Sequence, residues 1–218
     1  MTTSQSALEH LRVIRSLLER AQVYRAVSAP AALLGGVLSL TVSAWTIKVS
    51  QIDFSERVEE GKFLAIWLGI LTITSALNLI LLSRQAARRG QPFFSEGLRT
   101  ALRSFLPPML VGGVLGICLI WYHDEKELAA LVWILCYGLA LLATAHFSPR
   151  SLIRLGWAFL LSGIALTLWW SMAGGLGFMQ NNEVKASLFL GLTFGILHIL
   201  YAIAVFMRRK PVEGASFE

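Results

Sequence analysis

The chain has 218 residues, of which 56% are apolar and 15% charged, whereas soluble domains run at roughly 45–50% apolar and about 25% charged. The charges cluster and leave six stretches of 20 to 28 residues with no Asp, Glu, Lys or Arg, each long enough for the roughly 20 helical residues that cross a bilayer core. The pattern excludes an ordinary soluble domain, and the lack of apolar–polar alternation excludes a β-barrel, leaving an all-α polytopic bundle of six transmembrane helices.

Residues 1–25 read as a cytoplasmic amphipathic helix lying in the membrane interface. Ser6 and Glu9 fit a capping box, and Leu11, Ile14, Leu17, Leu18, Ala21 and Tyr24 share one face. Arg12, Arg15, Glu19 and Arg20 fall on the other. Such a helix rests on lipid, and it also offers a docking surface for a protein partner or a second copy of the chain. No short apolar run leads to a small-residue cleavage site, so the segment is not read as a signal peptide.

Residues 26–207 form the transmembrane domain, with spans expected near 27–47, 63–83, 104–122, 128–147, 155–173 and 186–207. Residues 208–218 form a cytoplasmic tail. The connecting segments alternate in charge, with 14 of the Lys and Arg residues on one side and 5 on the other. The positive-inside rule places the richer side, and with it both termini, in the cytoplasm. The net charge of +6 is then explained by anionic headgroups rather than nucleic acid. Trp45, Trp67, Trp121, Trp133, Trp169 and Trp170 lie toward the outer ends of their spans, as an aromatic anchoring girdle would.

Gly90-Gln91-Pro92 breaks the second span's helix, and Phe93–Arg99 then reads as a second interfacial helix. Pro107-Pro108 falls at the start of the third span, where proline is tolerated in a first turn. Pro30, Gly35, Gly36 and Val37 match Pro107, Gly112, Gly113 and Val114 at a constant offset, a weak echo of repeated helical hairpins. Small residues four apart predict close helix packing. They are Ala31, Gly35, Ser39 and Ser43 in the first span, Gly112 and Gly116 in the third, and Ser187, Gly191 and Gly195 in the sixth. A homo-oligomer interface is the alternative use of these faces.

Polar side chains inside the spans are few. His198 is the deepest ionisable one, and Asn78 and Tyr137 are placed to reach it, which makes the three candidate ligand or pathway residues. No metal or other cofactor is implied: His146 and His198 differ in depth, and Cys118 and Cys136 read as inert thiols. No catalytic motif is recognisable. The acidic residues fall in outer loops, where a solvated face accounts for them.

Several patches carry a resemblance. They include Leu11-Arg12 with Ile14-Arg15, Gly90-Gln91-Pro92, Leu106-Pro107-Pro108, Trp133-Ile134-Leu135 with Tyr137-Gly138, Phe147-Ser148, and Phe194-Gly195-Ile196-Leu197-His198. Together the chain resembles a group of small bacterial six-helix integral membrane proteins with no established activity. The resemblance implies a bacterial inner membrane and one undivided domain, and supplies no chemistry.

Three functional readings follow. The first is a non-enzymatic membrane protein acting through a partner at its cytoplasmic face, as sensor, regulator or assembly subunit. The second is a channel or carrier for a small neutral or apolar solute, which requires a cavity lined by Asn78, Tyr137, His198 and the small-residue faces. The third is a lipid-modifying enzyme built on His146, Arg150 and Arg154.

Overall fold

A computed structural model of the chain describes residues 27–52, 60–88, 90, 96–172 and 182–207. The expected amphipathic helix at 6–25 lies outside them. Six helices are long and apolar enough to cross a membrane: α1 (Ala29–Ile52), α2 (Glu60–Arg88), α3 (Glu96–His123), α4 (Lys126–Ala143), α5 (Arg150–Met172) and α6 (Asn182–Met207). No strand occurs among the described residues. The protein is a multi-pass membrane helix bundle.

The helices are unequal. Half of the span residues of α4 and α6 are buried, against 11% for α2 and 17% for α3. The two buried helices are the pillars of the bundle. α3 and α5 pack along α4, and α1 packs along α6. α2 rests chiefly on α1 and touches α3 only lightly.

Small residues set the close crossings, because without a Cβ the backbones approach and dispersion contacts multiply. A Cβ at Gly195 would lie 2.6 Å from Leu40 Cγ, and one at Gly191 would lie 2.5 Å from Ser43 Cβ. Ser39 and Ser43 are buried in the same α1–α6 seam. Gly112 and Gly116 face α4, against Cys136 and Trp133, while Gly35 faces Thr74 of α2. Gly36 abuts Ile199, and Gly138, Gly156 and Gly163 close α4 onto α5; none of these four stands in the stripes read from the sequence.

Gly35 and Gly112 each face the next helix, but Gly36 is packed on α6 and Gly113 has no neighbour within 4 Å of a built Cβ.

Two sequence expectations are corrected here. Glu96 to Arg99 belong to α3 and form no separate interfacial helix. The helix simply continues upstream, since nothing between Glu96 and Ser104 breaks it. Pro107 and Pro108 therefore sit inside α3 rather than in its first turn. Each removes one backbone donor, leaving the carbonyls four residues earlier without that partner.

α6 changes its winding midway. Gly191–Leu197 forms a π-helical segment between two α-helical ones, the wider turn that often marks functional sites. The glycines at its first and fifth positions are the ones seated against α1.

Candidate functional site: an intramembrane cavity

A cavity of about 520 Å³ opens between α1, α2, α3, α4 and α6. Its wall is mostly apolar, built from residues such as Ala32, Leu71, Phe105, Met109 and Leu190. No Asp, Glu, Lys or Arg lines it. Asn78, Tyr137 and His198, the three candidates named on polarity alone, all line it. So do Gly35, Ser39 and Gly112 of the small-residue stripes.

Tyr137 and His198 form a dyad across α4 and α6, with 2.9 Å between Tyr137 Oη and His198 Nε2. His198 Nδ1 lies 2.9 Å from the Phe194 carbonyl. A carbonyl oxygen only accepts, so Nδ1 carries the hydrogen and donates. In the neutral ring Nε2 is then an acceptor, and the Tyr137 hydroxyl donates to it. The π-helical winding just before His198 displaces the usual ladder, and the imidazole bonds back to one of its carbonyls.

The dyad is held by rings. Phe159 lies 4.7 Å from Tyr137 and 5.3 Å from His198, centroid to centroid. Phe194 lies 5.0 Å from Tyr137 and stacks on His198 at 16°. Phe105 meets Tyr137 edge-on. Such pairs each add roughly 0.5–1.5 kcal/mol beyond burial, so the cage fixes both side chains. The sequence reading missed these phenylalanines, because an aromatic residue in a span looks the same facing lipid or facing a cage.

Asn78 stands apart from the dyad in role. Its Oδ1 accepts from the Ser28 backbone N–H at 2.8 Å, tying α2 to the start of α1. Tyr201 of α6 donates to the Val27 carbonyl at 3.0 Å and holds the same end.

The tryptophan girdle is also revised. Trp45, Trp121 and Trp169 are exposed along the bundle, as lipid anchors would be. Trp67 and Trp133 instead line the cavity. Trp170 donates from Nε1 to Glu127 Oε2 at 2.6 Å.

That last bond belongs to a second cluster that the sequence reading placed in solvent. At the end opposite the arginines, Lys126 pairs with Glu183 at 3.0 Å, and Lys185 pairs with Glu127 at 3.0 Å. All four residues are buried. Asp124 reaches Lys126 at 3.1 Å from a positive-φ turn. The correction has a physical cause: α4 and α6 start earlier than the apolar runs do, which carries these charges into helix–helix contact. Lys-Glu at 126–127 and Glu-x-Lys at 183–185 were the visible signal.

His146, Arg150 and Arg154 are exposed, and no hydrogen bond or ion pair among the described residues joins them. No cluster of three or more potential metal ligands occurs among the described residues either. Comparison with protein-family models, curated proteins and solved structures finds no match for the chain.

Proposed function

We propose that this membrane protein takes a small, neutral, largely apolar molecule into its intramembrane cavity, as a carrier or ligand-binding protein. The observation that carries the reading is the cavity itself, uncharged, apolar and of about 520 Å³. That lies within the roughly 300–1,000 Å³ typical of small-molecule sites, which pair apolar walls with a few placed polar groups. The caged Tyr137–His198 dyad is such a group. The alternative, action through a protein partner, rests on residues 6–25 and 93–99. The first segment lies outside the described residues, and much of the second is the opening turn of α3.

Tryptophan fluorescence tests the reading. Trp67 and Trp133 line the cavity, so a neutral bromoalkane bound there quenches them saturably. The lipid-facing tryptophans give only a linear background from probe dissolved in the micelle. Gly113 lines the cavity with no atom within 4 Å of its built Cβ, so a side chain at this position starts in open space, and Gly113→Phe is the variant chosen to occupy the cavity. The saturable component is expected in the native chain and lost in Gly113→Phe. Quenching that is linear in both proteins would remove the cavity from consideration.

The setting we propose is a bacterial inner membrane with both termini in the cytoplasm. It is supported by the 14-to-5 division of basic residues and by the resemblance to small bacterial membrane proteins. Alkaline phosphatase fused after Met207 is expected to be inactive, and a fusion in the segment before Asn182 active. The reverse pattern would invert the orientation.

A further inference from the structure

We infer that the cavity's ligand is a lipid-soluble molecule with a hydroxyl head, which donates its hydrogen to Tyr137 Oη after arriving from the bilayer between α2 and α3. The inference rests on the cavity reading above and adds the chemistry of the ligand and its route.

The chemistry follows from counting hydrogens at the dyad. His198 Nδ1–H is committed to the Phe194 carbonyl. The Tyr137 hydroxyl hydrogen is committed to His198 Nε2. Tyr137 Oη therefore keeps lone pairs and no hydrogen. Thr74, also on the wall, spends its hydroxyl hydrogen on the Ile70 carbonyl at 2.7 Å. Thr144 spends its own on the Leu141 carbonyl at 2.7 Å. These groups are acceptors. A ketone, ester or ether head would find no hydrogen left on Tyr137 or His198, whereas a hydroxyl head would supply one; the amide hydrogens of Asn78 lie elsewhere on the wall. The indole N–H of Trp133 is turned against Gly116 of α3. With no charged side chain on the wall, an ionised head would be desolvated without compensation.

The route follows from the packing. α1 against α6, α3 against α4 and α4 against α6 are close contacts, while α2 and α3 touch lightly although both line the cavity. Ser75 on α2 is exposed and Gly113 on α3 has no neighbour near its built Cβ. This seam faces lipid, so a membrane-dissolved amphiphile reaches the cavity without crossing water. The prolines at 107 and 108 lie in α3 alongside the cavity-lining Phe105, Leu106 and Met109.

The test is competition, on the purified full-length chain, against the bromoalkane of the quenching assay. Dodecanol and its methyl ether have matched chains and differ in whether the head can donate. One hydrogen bond is worth about a factor of ten, so dodecanol is expected to displace the probe at about tenfold lower concentration than the ether. Tyr137→Phe keeps the ring and removes the acceptor, and there the two compounds are expected to compete equally. Equal competition in the native chain, or a preference for the alcohol that survives Tyr137→Phe, would overturn the inference and leave the cavity reading standing. Failure of both compounds to displace a saturably bound probe would overturn it as well. Absence of saturable quenching altogether would instead remove the cavity reading. Equal competition in the native chain overturns the inference even if the variant does not fold.

Discussion

Gly112 and Gly113 show how much one rotation on a helix decides. They are adjacent, share a composition and an echo in α1, and read alike in the sequence. A Cβ at Gly112 would come within 2.6 Å of Cys136 Cβ, while one at Gly113 would meet nothing within 4 Å. Gly112→Ala is therefore expected to destabilise by about 1–3 kcal/mol through overpacking. Gly113→Ala is expected to be neutral or to stabilise by up to about 1 kcal/mol, from the entropy that glycine loses on helix formation. Denaturation midpoints in mixed micelles check the pair; equal shifts would contradict the packing described. The same scale shows what was legible. His198, Asn78 and Tyr137 were readable because polar groups in lipid need partners. Their specific partners were not, since pairing depends on rotation and depth that spacing alone does not fix. Phe105, Phe159 and Phe194 were invisible for the opposite reason: an apolar ring carries no signal of which way it points.

Among the elements, α4 and α6 hold most of the polar devices. They carry the dyad, the π-helical segment and both buried ion pairs, and Trp170 of α5 joins them at Glu127. Span lengths were legible because bilayer thickness fixes them. The starts of α4 and α6 were not, because Lys126, Glu127, Glu183 and Lys185 look like loop residues until they are seen to neutralise one another. The prolines of α3 were misplaced for a related reason: the helix begins at Glu96, well before its apolar run. The ion pairs make a sharp prediction. Breaking a buried pair by removing one partner strands the other, at a cost of about 3–5 kcal/mol. Lys185→Met leaves the Glu127 carboxylate without this cation and is expected to destabilise on that order. Adding Glu127→Gln removes the stranded charge but keeps an oxygen for the Trp170 N–H, so the double variant is expected to recover most of the loss. A double variant no more stable than Lys185→Met, measured by the same denaturation, would mean that the pair contributes little.

Across the whole molecule these devices divide the bundle into a stiff part and a yielding one. Four charges and an indole tie α4, α5 and α6 together at one end, and the aromatic cage joins the same helices in mid-membrane. α2 touches α3 only lightly, and its residues are mostly on the outside. A bundle that admits a ligand from lipid must yield somewhere, and local opening follows the fewest buried contacts. The α2–α3 seam is that place. Spin labels at Ile80 and Leu110, both exposed on α2 and α3, report the seam, and labels at Leu139 and Ile203 report α4 against α6. Pulsed dipolar distances are expected to be broad for the first pair and narrow for the second. Bound dodecanol is expected to narrow the first without moving the second, because only the first spans the entrance. Equal widths in the ligand-free protein would mean that the bundle is uniformly rigid, and the cavity would then need another way in. A narrow α2–α3 distance that broadens with ligand would make the seam a gate forced open by its occupant rather than a gap waiting to be filled.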